Sequence, residues 1–225
     1  MKHAAATIAS ALLLLTAAIP GARAGEVTVP VDVGVGPAFH FVTGPIQDAQ
    51  LVHYGLKLSV AAIIDKATLE ANKGRIPKNY RGMVSKLAEV RFSPSIFIPD
   101  TLFISPKIDD TQMWGISWTP IGLGLTLANV PRVRLGADLR LTYAFIGSDR
   151  LGDTHFLRPG IDLNLDVEIP ITDSFLVSLG WTSQFYVPQT VGGGILDTGP
   201  FEDTVWHIGQ AYLLLHFRFP YTTNL

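Results

Sequence analysis

The feature that most limits the folds open to this chain is an apolar–polar alternation of period two, sustained over most of its length. From Val27 to Phe41 the odd positions hold only valine, proline or phenylalanine, whereas the even ones read Thr28, Pro30, Asp32, Gly34, Gly36, Ala38 and His40. Successive side chains of a strand point to opposite faces, so this run predicts one apolar face and one small or polar face. Seven further runs obey the same rule: Val52 to Ile64, Val90 to Ile98, Trp114 to Leu127, Val133 to Phe145, Leu157 to Ile169, Phe175 to Val187 and Ala211 to Tyr221. The Trp114 run changes parity at Thr119-Pro120, where a proline predicts a bulge. Eight strands are therefore predicted.

Alternation fits a water-soluble sandwich as well as a barrel, and the make-up of the polar face separates them. A sheet face in contact with water would carry many Lys, Glu and Thr with few glycines. Here repeated Gly is mixed with Arg, Asp, Glu and His, which suits a narrow interior where opposite charges pair and small residues leave them room. Lys57, Arg134, Asp138, Arg140, Arg158, Asp162, Asp166, Glu168, His216 and Arg218 are read as a lumen charge network, with His40 and His53 on the same face. A buried charge costs several kcal/mol unless it is paired, so salt bridges between facing strands are required. If the apolar face meets lipid, no strand edge can stay open, and the sheet must close on itself.

An even strand count, runs of about 9–11 residues or more, and aromatics near run ends agree with a membrane barrel. On these runs and on Phe39, Phe41, Tyr54, Trp114, Trp118, Tyr143, Phe145 and Tyr221, the chain resembles the small eight-stranded outer-membrane β-barrel proteins of Gram-negative bacteria over residues 26 to 221. The resemblance implies an all-β, eight-stranded, antiparallel up-and-down transmembrane β-barrel surrounded by outer-membrane lipid, with its mature N-terminus in the periplasm. Residues 1–24 read as a cleaved signal peptide: Lys2, an apolar stretch from Ala4 to Ile19, then Ala22-Arg23-Ala24. The barrel would then occupy 25–225.

Seventeen Lys and Arg against 19 Asp and Glu give a net charge of −2, which argues against a nucleic-acid partner. With no cysteine there is no disulfide framework, thiol chemistry or Cys-based metal site. The Gly192-Gly193-Gly194 run and the cluster Asp149, Arg150, Asp153 and His155 lack the context that phosphate or metal binding needs, and are read as loops. Neither a cofactor nor a metal is expected.

With the N-terminus in the periplasm, Ala128 to Pro131 and Thr172 to Ser174 become short periplasmic turns. Thr43 to Gln50, Ser105 to Gln112, Gly147 to His155 and Pro188 to Thr204 become outward loops. One periplasmic connection breaks this pattern, the 65–89 insertion between strands 2 and 3. Residues 66–91 hold 7 of the 17 basic side chains, namely Lys66, Lys73, Arg75, Lys78, Arg81, Lys86 and Arg91. Ala67 to Lys73 suits one or two helical turns. The basic run reads either as a docking element for an acidic periplasmic or envelope partner, or as a solvated connection that can enter the barrel mouth and pair with Asp162, Asp166 and Glu168. Together these features predict a noncatalytic outer-membrane anchor or scaffold. The alternatives are a narrow path for ions or small solutes and a lipid-modifying enzyme built on His40, His53 or His216.

Overall fold

A computed structural model describes residues 26–43, 52–71, 78, 81, 89–93, 99–129, 131–149, 153–186, 196–198 and 206–224. Residues 1–24 of the expected signal peptide, and Lys73, Arg75 and Lys86 of the basic connection, lie outside these. The strands are β1 (Glu26–Thr43), β2 (Val52–Asp65), β3 (Glu89–Phe92), β4 (Thr101–Ile104), β5 (Thr111–Asn129), β6 (Arg132–Ser148), β7 (Thr154–Pro170), β8 (Phe175–Tyr186), β9 (Leu196–Thr198) and β10 (Trp206–Asn224), with one short helix, α1 (Lys66–Ala71).

Every neighbouring pair is antiparallel, and β1 pairs both with β2 and with β10, so the sheet closes into a ring. β3 and β4 both lie between β2 and β5, and together they make one interrupted stave. The ring thus has eight staves and is an eight-stranded antiparallel up-and-down transmembrane β-barrel. β9 is an extra short strand that pairs with β7 at Leu157 to His155.

The third stave departs from the sequence reading. A single run from Val90 to Ile98 is expected, but strand pairing stops at Phe92 and resumes at Thr101. Ladder-like hydrogen bonds hold the two ends of the break: Val60 N–H donates to the Asp100 carbonyl at 2.6 Å, and Ser93 N–H to that of Thr119 at 2.7 Å. Ser93 and Thr119 meet again, since the Thr119 N–H donates to Ser93 Oγ at 2.8 Å. The break therefore faces Thr119-Pro120, where the β5–β6 register shifts between Trp118 and Ile121. That shift is the bulge announced by the proline, and it lets Trp118 and Ile121 share the outer face.

Side-chain direction follows parity around the ring. Leu56, Leu123, Leu139, Leu163, Leu179 and Leu213 are outward and exposed, while Lys57, Asp138, Asp162, Ser178 and Tyr212 on the alternate positions are buried inside. Aromatic contacts gather at both ends of the wall: Trp114 with Tyr143 at 5.3 Å and Phe185 with His207 at 4.7 Å towards the loops, Phe175 with Phe217 at 5.1 Å towards the turns. An apolar band between aromatic girdles is the outer surface that a bilayer demands. Six residues of outward parity near the turn end, Val29, Val31, Ala62, Ile64, Val90 and Phe92, are nonetheless buried as a cluster, with Val60 and Tyr221 against it. They sit on β1, β2 and β3, the last two of which flank the basic connection.

Short connections join β5 to β6 and β7 to β8 at the end where β1 begins and β10 ends. β6 runs to Ser148 and β7 begins at Thr154, so His155 is a strand residue rather than a loop residue, and the Tyr143 hydroxyl lies 2.8 Å from its Nδ1. The helix expected after strand 2 starts one residue early, at Lys66, because the Asp65 carboxylate caps it by accepting the Thr68 N–H at 2.8 Å.

Candidate functional site

The lumen is filled in three layers, each assembled by strands far apart in sequence. Nearest the turns, Glu89 of β3 is fully buried and collects three arginines: Arg91 at 2.5 Å, Arg132 at 2.6 Å, and Arg134. Glu168 takes the remaining nitrogens of Arg91 at 3.1 Å and Arg132 at 3.2 Å, and Asp166 takes Arg134 at 2.9 Å and the Tyr212 hydroxyl. These bridges satisfy the pairing that buried charge requires.

Beside that cluster Asp32 of β1 receives Arg218 of β10, from Nε at 3.0 Å and Nη2 at 2.6 Å. Its other oxygen lies 2.5 Å from His216 Nδ1, and His216 Nε2 lies 2.7 Å from Ser178 Oγ. The strand register explains the meeting: Asp32 faces Arg218, Gly34 faces His216, and β8 brings Ser178 in from the other side of β10. A methyl group on Gly34 would stand 2.7 Å from His216 Cε1 and Nδ1, so the missing side chain is what lets the ring lie against β1.

In the middle layer Arg140 is held by Asp162, with Asp100 at 3.8 Å, Asp138 at 4.0 Å and Thr101 Oγ1 at 3.1 Å. Asn164 donates to Asp138 at 2.6 Å. Lys57 Nζ lies 3.9 Å over the Tyr212 ring, a cation–π contact between layers. A cavity of about 70 Å³ separates the two ionic layers, bordered by Asp32, Lys57, Arg134, Asp138, Ser178 and His216 among others.

Towards the loops an apolar cluster enters the lumen beside buried Thr142, Arg158, Gln184 and Gln210. Val42, Phe103, Met113, Ala144, Ile146, Tyr186 and Ile208 pack into one buried cluster contributed by six of the strands. The His40 ring lies tilted against Phe103 at 5.3 Å, and His53 Nδ1 lies 3.3 Å from Ser105 Oγ. His40 and His53 face each other across β1 and β2. His216 faces Gly34, six residues from His40, which at about 3.3 Å per residue is about 20 Å away. The three histidines do not form one site.

The structure puts Lys57, Arg134, Asp138, Arg140, Arg158, Asp162, Asp166, Glu168, His216 and Arg218 on the lumen face. It also brings in residues that the sequence network omits, Asp32, Glu89, Arg91, Asp100 and Arg132. Arg91 corrects the reading of the basic connection: it is a β3 residue whose guanidinium points inward to Glu89 and Glu168. Of that connection's basic residues only Arg91 reaches Glu168 among the described contacts, whereas Asp162 and Asp166 are held by Arg140 and Arg134. Lys66 and Lys78 are helical and exposed, and Arg81 is helical and half-buried. Alternation signals Asp32; the hub role of Glu89 depends on where the broken stave sits, which local sequence does not record.

No protein-family model matches the chain, and no curated protein matches it in sequence. Among solved structures it is similar to Neisserial surface protein A, at 14% identity and a TM-score of 0.48, over 87% of this chain and 99% of that one. It is also similar to Ail, the attachment invasion locus protein of Yersinia pestis, at 11% identity and a TM-score of 0.41, over 85% and 99%. A second structure of Ail, in complex with the heparin analogue sucrose octasulfate, aligns at 7% identity with a TM-score of 0.41.

Proposed function

We propose that this protein is an outer-membrane anchor or scaffold with a closed lumen, and that its basic 66–86 connection docks an acidic periplasmic or envelope partner. The fully buried side chains at the loop end of the lumen, Phe103, Met113 and Ile208 together with Arg158, Gln184 and Gln210, carry this reading, because they fill the space that a conducting path would need for water. An ion passing this filled cross-section would have to give up its water shell for the few polar groups that line it. The exposed leucines of the wall supply the lipid contact that holds the barrel in place. Docking is supported by the exposure of Lys66 and Lys78.

Purified barrel in planar bilayers is expected to give no discrete conductance steps; regular openings would replace this reading with the narrow-channel one. Deleting residues 66–86 should leave the barrel folded, read as faster electrophoretic migration before boiling, while abolishing co-purification with envelope partners. Unchanged co-purification in a folded deletion variant would remove the docking role and leave the barrel assignment standing.

A further inference from the structure

Asp32, His216 and Ser178 share a geometry that pairing of charges does not require. Charge balance around Asp32 is met by Arg218, which grips one carboxylate oxygen through Nε and Nη2 and leaves the other for His216 Nδ1 at 2.5 Å. With Nδ1–H donating to Asp32, the His216 Nε2 lone pair is free to accept the Ser178 hydroxyl proton at 2.7 Å. Nucleophile to base and base to orienting carboxylate are both within hydrogen-bond reach, and all three residues border the same cavity.

We propose that Ser178, His216 and Asp32 form a nucleophile–base–orienting relay that hydrolyses small acyl esters, acetyl esters foremost, admitted from the turn end of the barrel. The size of the cavity sets the acyl group. About 70 Å³ is roughly half of the ~150 Å³ that accommodates benzene, which suits an acetyl group and excludes a fatty acyl chain. Access is on the side of Arg91, which borders the cavity and is 18% exposed, so the alcohol part of the ester extends past that guanidinium.

Ser178 Oγ attacks the ester carbonyl carbon while its proton passes to His216 Nε2. The carbon–alkoxy bond breaks, and His216 returns the proton to the departing alkoxide to release the alcohol. Water then attacks the acyl-serine, gives a proton to His216, and the carboxylic acid leaves as Ser178 regains its hydrogen. Asp32 acts as a positioning residue, and Arg218 positions Asp32.

The test uses full-length barrel in detergent, with methanesulfonyl fluoride as a small serine probe and 4-nitrophenyl acetate as substrate. Ser178 of the unaltered protein should carry the sulfonyl adduct by peptide mass mapping, a result that needs no variant to fold. Ser178→Ala and His216→Ala should reduce hydrolysis to background while unboiled migration stays fast. Asp32→Asn should lower kcat by about 10⁴-fold, as expected when the imidazole is held in the wrong tautomer, and shift the pH profile, which a purely structural carboxylate would not do. No adduct on Ser178, or equal hydrolysis by folded Ser178→Ala, overturns the proposal without touching the anchor reading, which the bilayer and deletion experiments decide separately.

Discussion

At the scale of single residues, burial decides which charges matter. Arg134 is 1% exposed and bridges two carboxylates, Glu89 and Asp166, from strands on opposite sides of it. Replacing it with alanine leaves Asp166 with the Tyr212 hydroxyl in place of a cation and Glu89 with two arginines instead of three, and breaking a buried pair costs about 3–5 kcal/mol. Arg134→Ala should lower the unfolding free energy in lipid vesicles by that amount, measured by urea titration. Lys107 and Asp149 form a shorter bridge than Arg134 and Asp166, at 2.6 Å in the loops, but their side chains are 51% and 70% exposed. Lys107→Ala should cost less than about 1 kcal/mol, because solvent already screens the pair. Equal losses for the two variants would mean that the lumen is as wet as the loop surface.

At the scale of elements, one extra residue keeps the Thr111–Asn129 strand in phase. The β5–β6 register advances three residues on β5 and two on β6 between Trp118/Leu141 and Ile121/Leu139. Without that step Trp114 and Trp118 could not lie on the same face as Leu123 and Leu125. Deleting Pro120 should therefore turn one half of the strand inside out, bringing tryptophans against Arg140 or leucines against Glu89. The variant should fail to acquire the fast-migrating unboiled form; normal assembly would show that the bulge is not what fixes the register. Parity was legible in the sequence here because the proline sits at the change. The broken third stave was not legible, since β3 and β4 are only four residues each and are held by pairing to β2 and β5 rather than by a pattern of their own.

At the scale of the whole molecule, the barrel inverts the soluble arrangement, with leucine and phenylalanine outside and paired ions within. Leu165 is 45% exposed near the middle of β7 and faces the outer surface. An arginine there would have to enter the apolar part of the bilayer, at about 2–4 kcal/mol near the midplane. Leu165→Arg should reduce vesicle-embedded stability by that amount and change little in detergent, where the charge can reach water. A loss below about 0.5 kcal/mol in vesicles would indicate that β7 does not face acyl chains.

The sequence by itself determined the eight staves, their two faces and the sign of each face, because side-chain direction along a strand is a local property repeated every two residues. It also singled out most of the charged lumen side chains for the same reason. Only the tertiary structure decided who meets whom. The gathering of three arginines at Glu89, the inward turn of Arg91, and the line from Asp32 through His216 to Ser178 all depend on ring closure and inter-strand register. Those are set by contacts between residues as far apart in the chain as Glu26 and Asn224, and nothing in the neighbourhood of any one residue encodes them.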